Sequence, residues 1–274
     1  MHRAVALARA AHPEPTAAVT VLATTVAAAA GRDLAGCVVV AAAVLSGQLS
    51  IGWSNDVVDV RRDRVAGRLD KPLASDLVSV RTASVACGVA VLACVPLSLA
   101  SGWRAGLAHL VGVAGGWAYN LGMKRTVLSW LPYAVSFALL VAFLSLGLPG
   151  HPAPAGWALL AGGLFGVGAH CLNVVPDLAD DLAAGVRGLP HRLGERGARA
   201  LGALLLATAA AVVTLGPEGE VPVWAWVGFG LAVALALLAA TSGARAGSRL
   251  PFLLALGSAA VAVGLLVGRG SHLT

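Results

Sequence analysis

Long apolar runs separated by short polar segments dominate this sequence of 274 residues. A helix needs about 20 residues to cross a bilayer, and most of the runs approach that length. Nine such runs cover approximately residues 16–30, 34–53, 80–99, 105–120, 129–148, 157–172, 198–215, 221–240 and 250–267. The pattern predicts an all-α integral membrane protein with about nine transmembrane helices, forming one domain over residues 1–274.

The composition points the same way, because 58% of the residues are hydrophobic and only 12% are charged. A soluble domain carries about 25% charged residues. The cysteines lie apart within apolar runs and form no C-x-x-C pair, so neither a zinc site nor a disulfide framework is indicated. We expect them to be buried as small apolar side chains. They are Cys37, Cys87, Cys94 and Cys171.

Polar side chains interrupt the pattern where the second apolar run ends, at Asn55, Asp56, Asp59 and Asp63. A helix turns about 100° per residue, so all four side chains fall within an arc of about 100° on one helical face. Carboxylates crowded in this way repel each other, and a divalent cation relieves the repulsion. Mg²⁺ is the best match, because it uses one or two carboxylates and completes its octahedron with phosphate oxygens or water. The alternative is a solvated acidic face without chemistry.

A second acidic stripe follows the sixth apolar run, at Asn173, Asp177, Asp180 and Asp181. On a helix these side chains again fall within an arc of about 100°. The two stripes hold six of the 13 acidic residues in the chain, which argues against surface decoration. Two such stripes, each at the end of a hydrophobic helix, predict the two halves of a clamp for metal and diphosphate.

Basic residues predict the orientation in the membrane. They are spread over short loops without interleaved aromatic residues, which argues against nucleic-acid binding despite the net charge of +6. With a cytoplasmic N-terminus, the loops on that side hold 16 of the 19 lysines and arginines: Arg3, Arg9, Arg61, Arg62, Arg64, Arg68, Lys71, Arg81, Lys124, Arg125, Arg187, Arg192, Arg196, Arg199, Arg245 and Arg249. The positive-inside rule therefore places the N-terminus and both acidic stripes in the cytoplasm, and the C-terminus outside.

Several motifs resemble those of one family. Residues 55–63 resemble the NDxxDxxxD signature of the UbiA superfamily of membrane prenyltransferases, and Asp177 with Asp181 resembles its second acidic motif. Residues 185–194, GVRGLPHRLG, are similar to the stretch that follows this motif in many members. Residues 119–125, YNLGMKR, resemble the Tyr…Lys-Arg stretch between the fourth and fifth helices. The resemblance implies nine helices in a bundle around a central cavity.

Two positions depart from the family pattern. Lys124 follows Tyr119 by five positions, where four are expected in many members, and Asn173 stands where some members carry aspartate. Within the family pattern, both departures affect contacts with the diphosphate and leave the class unchanged.

The acidic stripes after the second and sixth runs also hint at two four-helix halves plus a ninth helix.

The resemblance implies Mg²⁺-dependent transfer of a prenyl group from a prenyl diphosphate to an aromatic or other lipophilic acceptor in the membrane. Metal ions held by both motifs would stabilise the charge that develops on the leaving diphosphate. The expected catalytic residues and metal ligands are Asp56, Asp59, Asp63, Asp177 and Asp181, with Asn55 as a further ligand. The expected substrate-binding residues are Asn55, Asn173, Lys124, Arg68, Lys71 and Tyr119.

Other polar residues have more modest expected roles. Asp180 is expected beside the metal ligands, and Arg187 and Arg192 in a loop that caps the site. His170 is expected to be a packed helix residue. The remaining basic residues near the motifs are interpreted as topology determinants; they are Arg61, Arg62, Arg64 and Arg125.

Two other functions remain open, and a third is disfavoured. A terpene cyclase of the same type would capture the prenyl cation with its own double bond. A membrane protein that binds or transports divalent cations would also carry acids, but transporter sites lie near the middle of the bilayer and these acids lie at the ends of spans. Soluble isoprenoid synthases also use aspartate motifs, but the hydropathy of this chain argues against them.

Overall fold

The computed structural model of the protein describes residues 3–242 and 250–268, and every regular element within them is a helix. The α-helices are α1 (Arg3–Arg9), α2 (Pro13–Ala29), α3 (Leu34–Val65), α4 (Val80–Leu99), α5 (Trp103–Leu121), α6 (Leu131–Leu146), α7 (Gly156–Val174), α8 (Leu178–Ala183), α9 (Leu189–Leu215), α10 (Val223–Thr241) and α11 (Leu250–Gly268). All except α1 and α8 are long, and one long helix lies at each predicted apolar run. The predicted all-α class is therefore confirmed.

Seven helical segments of the described residues are long and apolar enough to cross a membrane. The two predicted spans that do not meet this standard are α2, with 17 residues, and α5, which carries polar residues such as His109 and Asn120. Large apolar side chains point outward from the bundle, for example Leu92 and Val227. Such a surface suits lipid, and the chain is a multi-pass membrane protein.

Seven of the long helices form a closed ring, because each contacts the next in the order α2, α3, α5, α6, α7, α9 and α11, and α11 contacts α2. The remaining two long helices lie outside this ring. Helix α4 packs against α3 and α5, and α10 packs against α9 and α11. The ring encloses the central cavity that the sequence resemblance implied.

Glycines allow the helices of the ring to approach closely, as is common in membrane bundles. A Cβ atom at Gly166 of α7 would lie 2.4 Å from the carbonyl oxygen of Tyr133 on α6. A Cβ atom at Gly116 of α5 would lie 2.6 Å from a side-chain carbon of Ile51 on α3. A larger residue at Gly166 would force α7 away from α6, whereas one at Gly116 would require the Ile51 side chain to move.

Helix α3 carries the first acidic stripe beyond the hydrocarbon region. Its 32 residues correspond to about 48 Å at 1.5 Å per residue, which exceeds the ~30 Å hydrocarbon thickness. The predicted apolar run ends at Trp53, but the helix continues to Val65. The stripe therefore lies on the last turns of one continuous helix, as the sequence predicts.

The second stripe is not on one continuous helix. Helix α7 ends at Val174, a 3-10 turn covers Val175–Asp177, and the short α8 follows. Pro176 lies in this turn, and proline has no N–H with which to continue the helical hydrogen bonds. The predicted single face is thus divided, with Asp177 in the turn and Asp181 in α8.

The second half of the GVRGLPHRLG segment is helical. Helix α9 begins at Leu189, nine residues before the predicted apolar run, and is interrupted at Gly194, where φ is 70°. Glycine adopts this conformation without the steric cost that other residues meet. The break separates the membrane part of α9 from its first turns, which carry His191.

The N-terminal segment folds back over α3. Ala6 of α1 and Ala10, in the turn after it, pack in one apolar cluster with Val60 and Leu73. The indole nitrogen of Trp53 donates a hydrogen bond to the Leu7 carbonyl oxygen at 2.9 Å. These contacts hold the turn between α1 and α2 beside the first acidic stripe.

Candidate active site

A cavity of about 860 Å³ lies within the ring of helices. Its lining on α7 extends from Asn173 to Trp157, about 24 Å along the helix at 1.5 Å per residue. The end near Asn173 is lined by the acidic and basic residues of the motifs, and the remainder by apolar side chains such as Phe137, Leu140 and Phe165. The shape and polarity suit a ligand with a charged head and a hydrocarbon tail.

The carboxylates of the first motif are buried and paired with basic groups. Asp56, Asp59 and Asp63 are each less than 5% exposed. Lys71 donates a hydrogen bond to Asp56 at 2.9 Å, and the Nε2 atom of His12 lies 3.2 Å from the same oxygen. A buried carboxylate is costly without such partners, so this pairing offsets the mutual repulsion expected from the sequence.

Lys124 reaches the first motif from the connection after α5. Its ammonium group lies 2.5 Å from Asp59 Oδ2 and 3.2 Å from the amide oxygen of Asn55. Burial lowers the pKa of Lys124, while the charge of Asp59 acts in the opposite direction. The residue lies in a 3-10 turn, Met123–Arg125, so the unusual spacing after Tyr119 still brings the ammonium group into the cavity wall.

The second motif is contacted by Arg68 from the segment after α3. This guanidinium donates to Asp177 at 3.1 Å and to Asp70 at 3.0 Å, and it lies 3.4 Å from Asp180. Hydrogen bonding to Asp70 and the charge of Asp177 raise the pKa of Arg68 above its ordinary value. Asp177 lines the cavity, whereas Asp180 is exposed and is not part of the lining.

Asp181 completes the second motif from α8. It lines the cavity, and its Oδ2 atom lies 3.2 Å from His191 Nε2 in the first turn of α9. Asn173 also lines the cavity, at the last turn of α7. The residues predicted from the two stripes are therefore brought to one end of the cavity, with the exception of Asp180.

Arg62 joins the two motifs, although the sequence indicated only a topology charge at this position. Its guanidinium lies 2.9 Å from Asp59, 3.5 Å from Asp63 and 3.9 Å from Asp181. It also lines the cavity. Arg62 follows Asp59 by three positions on a continuous helix, and this spacing placed it on the acidic face.

The aromatic residues below the acidic end form a packed group. Tyr119 lies edge-on to Tyr133 with ring centroids 5.1 Å apart, and both tyrosines line the cavity. His170 stacks on Tyr133 at 4.3 Å and accepts or donates a hydrogen bond with Ser129 at 3.2 Å. His170 is fully buried outside the cavity lining, as expected for a packed residue.

The predicted basic cap differs from the observed arrangement. Arg187 and Arg192 are exposed and do not line the cavity, and Arg192 donates instead to the carbonyl oxygen of Arg187 at 2.9 Å. The turn between α1 and α2 lies at the acidic end of the cavity instead, where His12 contacts Asp56 of the first motif. No sequence pattern marks His12, because its contact with the first motif spans 44 positions along the chain.

The acidic end offers a suitable oxygen donor set for Mg²⁺. Asp59 Oδ1 is buried and has no hydrogen-bond partner within the described part of the chain. No group of three or more His, Cys, Asp or Glu side chains converges among residues 3–242 and 250–268. Mg²⁺ does not require one, because it takes one or two carboxylates together with phosphate oxygens and water. The oxygen donors that line this end of the cavity are Asp56, Asp59, Asp63, Asp177 and Asp181, with Asn55 beside them.

An all-helical membrane fold with an acid-lined cavity defines a class of membrane enzyme. The model of the UbiA prenyltransferase family matches residues 15–249. The chain therefore belongs to the UbiA prenyltransferase family, whose members are enzymes of the prenyltransferase type. No curated protein matches the chain.

Solved structures of UbiA homologues share the fold. The apo structure of a homologue from Aeropyrum pernix K1 is 21% identical, with a TM-score of 0.73, and the match covers 94% of this chain and 96% of that chain. A homologue from Archaeoglobus fulgidus, bound to GPP and Mg²⁺, is 18% identical, with a TM-score of 0.69, covering 95% and 99%. A structure of digeranylgeranylglyceryl phosphate synthase is 15% identical, with a TM-score of 0.67, covering 98% and 99%.

Proposed function

We propose that this protein transfers a prenyl group from a prenyl diphosphate to an aromatic or other lipophilic acceptor, in an Mg²⁺-dependent reaction within the membrane. The observation that carries the proposal is one cavity whose polar end holds both aspartate motifs and whose remainder is apolar. Family membership supports it, as do structures of the Archaeoglobus fulgidus homologue bound to GPP and Mg²⁺ and to DMAPP and Mg²⁺.

The polar end would bind and activate the diphosphate. Mg²⁺ held by the five aspartates of the motifs would supply Lewis-acid stabilisation of the leaving group. Lys124, Lys71 and Arg68 are placed to donate hydrogen bonds to its oxygens, as cationic side chains do for phosphate. These donors are held in position by their contacts with Asp59, Asp56 and Asp177 before the substrate arrives. The amides of Asn55 and Asn173 and the ring of Tyr119 would orient the bound head group.

The apolar part would hold the prenyl chain and exclude water. When the bond to the diphosphate breaks, the allylic carbon becomes cationic, and water in the site would compete with the acceptor. The acceptor carbon or oxygen then bonds to the prenyl carbon and loses a proton. A lipophilic acceptor is favoured because it reaches such a site from the membrane. Digeranylgeranylglyceryl phosphate synthase, whose fold this chain shares, is likewise described in membranes.

The test uses purified protein with Mg²⁺, a panel of prenyl diphosphates and candidate acceptors. Prenyl transfer requires that diphosphate release and acceptor loss occur together and stop when the metal is chelated. Release without acceptor loss would instead indicate a cyclase. Metal flux into liposomes without any release would indicate a transporter and would contradict the proposal.

We also infer that residues 1–274 act as one unit with the site on the cytoplasmic side. Arg64, Lys124 and Arg192 lie at the end of the bundle that carries the motifs, and a hydrogen bond of 2.9 Å between Arg32 and Ser101 joins loops at the other end. Three basic residues of the topology argument, Arg245, Arg249 and Arg269, and the C-terminus at Thr274 lie outside the described residues.

This orientation predicts the result of reporter fusions. A reporter fused after Arg64, Lys124 or Arg192 should report the cytoplasm, because positively charged loops are retained there. A reporter fused after Gly150, in the connection between α6 and α7, should report the opposite side and serves as the control. If fusions after Arg64 and Arg192 reported opposite sides, the two motifs could not form one site.

A second expected result concerns the hydrocarbon part of the cavity. Ala161 is a buried cavity residue 12 positions before Asn173, about 18 Å from it along α7 at 1.5 Å per residue. An extended prenyl chain gains about 5 Å per five-carbon unit, from four carbon–carbon bonds of about 1.5 Å each. Ala161→Phe should therefore raise KM about tenfold or more for a four-unit prenyl diphosphate and leave a one-unit diphosphate unchanged.

The matched control is Leu160→Phe, since Leu160 is the neighbouring residue and is exposed on the outside of the bundle. The KM of each variant for both diphosphates shows whether the prenyl chain passes Ala161. Equal losses for the short and long diphosphates, or no loss for either, would mean that the prenyl chain does not pass Ala161.

A further inference from the structure

We propose that Arg62 is an additional diphosphate-binding residue that couples the two aspartate motifs. The inference rests on the proposed function of the same cavity. It concerns a residue of the first motif that is neither acidic nor part of the expected set of phosphate-binding cations. Two features of the side chain carry it, namely its contacts with both motifs and a buried amino group that has no hydrogen-bond partner among the described residues.

The contacts of Arg62 span the site. One amino group of the guanidinium, Nη2, donates to Asp59 at 2.9 Å and lies 3.5 Å from Asp63 on the same helix. The same nitrogen lies 3.9 Å from Asp181 on α8. Arg62 forms ion pairs with aspartates of both motifs, whereas the recorded ion pairs of Lys124, Lys71 and Arg68 with motif aspartates each involve one motif. Arg62 therefore occupies the boundary across which a diphosphate would be shared.

The other amino group of Arg62 is left without a partner. Nη1 is buried, and it makes no hydrogen bond within the described part of the chain. A buried donor without a partner costs stability, and a ligand acceptor removes that cost. Guanidinium presents its donors in a planar fork that matches phosphate oxygens in pairs. Because Arg62 also lines the cavity, an anion bound there is the acceptor that this nitrogen lacks.

The position of Arg62 creates two opposite expectations. Its positive charge competes with a divalent cation for Asp59 and Asp63, so its removal should not weaken binding of the metal alone. The same charge attracts a diphosphate, so its removal should weaken binding of that anion. A residue with only a structural role would not separate the two effects. Arg61 is the natural control, because it is the adjacent arginine and is exposed.

The experiment compares Arg62→Gln with Arg61→Gln in the full-length protein. Mn²⁺ serves as the metal probe and inorganic pyrophosphate as the anion probe, both measured by direct binding. We expect Arg62→Gln to bind Mn²⁺ alone at least as tightly as the parent. In saturating Mn²⁺ it should bind pyrophosphate about tenfold to a hundredfold more weakly, the loss expected for hydrogen bonds to a charged group. Arg61→Gln should match the parent in both measurements.

Arg62→Lys provides a second variant that keeps the charge and most of the side-chain volume. It should bind pyrophosphate more weakly than the parent, because an ammonium group cannot reproduce the planar fork. Parent-like pyrophosphate affinity in either Arg62 variant would overturn the proposal. Equal weakening of Mn²⁺ and pyrophosphate binding would overturn it as well, since this would indicate a structural role.

The result for Arg62 can be distinguished from the result for prenyl transfer. Pyrophosphate binding that depends on Arg62 would uphold the residue's role even in a protein that consumed no prenyl diphosphate. Conversely, a protein that transferred prenyl groups with an unchanged KM in Arg62→Gln would retain the proposed function and refute the role of Arg62.

Discussion

Replacement of either Asp59 or Asp181 by asparagine is expected to abolish Mg²⁺-dependent release of diphosphate from a prenyl diphosphate. Asparagine keeps the shape of the side chain but removes the charge that a metal needs. Loss of one electrostatic anchor of a reacting group commonly costs a hundredfold or more. The double variant should be barely slower than either single variant, because residues that act as a unit are not additive. Release of pyrophosphate under saturating substrate is the measurement.

Asp76→Asn is the matched control, since it makes the same change at an exposed residue that pairs with Arg64 outside the cavity. It should retain the parent rate. A well-folded Asp59→Asn, Asp181→Asn double variant that released diphosphate at near the parent rate would contradict the assignment of both motifs.

Asparagine is preferable to alanine at Asp59 because its amide oxygen can still accept the hydrogen bonds that Lys124 and Arg62 donate to Asp59 Oδ2. If the carboxylates of the first motif only repelled one another, removing one of them would change the free energy of unfolding little. Asp59 instead contacts Lys124 and Arg62, and Lys124 is 4% exposed. Removing one partner of a buried ion pair commonly costs about 3–5 kcal/mol, so Asp59→Ala should lower the free energy of unfolding substantially.

Lys124→Gln is expected to produce the second large effect, a tenfold to hundredfold rise in the Kd for prenyl diphosphate. The expected loss is that of a hydrogen bond from a charged donor to the diphosphate. Acceptor binding measured without Mg²⁺ should not change, since the ammonium group lies at the acidic end and contacts Asp59 and Asn55. Direct binding of a non-hydrolysable prenyl diphosphate analogue provides the measurement.

Arg125→Gln is the control for this variant, because Arg125 is the adjacent basic residue and is exposed. It should bind the analogue as the parent does. An unchanged affinity in Lys124→Gln would assign Lys124 to membrane topology alone and leave Arg68 or Lys71 as the cations that bind the diphosphate.

The long apolar runs predicted the fold well because each membrane helix is marked by its own local sequence. The nine apolar runs each became a long helix, with ends displaced where polar residues continued the helix, as in α3. The arc calculated for Asn55 to Asp63 applied because α3 remains α-helical through Val65. The same calculation was less accurate for the second stripe, since Pro176 lies in a turn that ends α7.

The charge pairing within the site was not predictable in the same way. His12 and His191 approach Asp56 and Asp181 only because α1 folds over α3 and because α9 starts before Gly194. These contacts depend on tertiary packing, which leaves no periodic signal in the sequence. Arg62 is the exception. Its spacing of three residues from Asp59 is visible in the sequence, although the basic charge by itself indicates only membrane topology.

Mass spectrometry of the products formed by purified protein in lipid bilayers is the decisive test of prenyl transfer. With Mg²⁺, a suitable prenyl diphosphate and its acceptor, we expect an acceptor that has exchanged one hydrogen for a prenyl group, with one pyrophosphate released per product. The Asp59→Asn, Asp181→Asn variant should form none. A product derived from the prenyl diphosphate alone, or no Mg²⁺-dependent product with any combination of a broad panel, would contradict prenyl transfer by this protein.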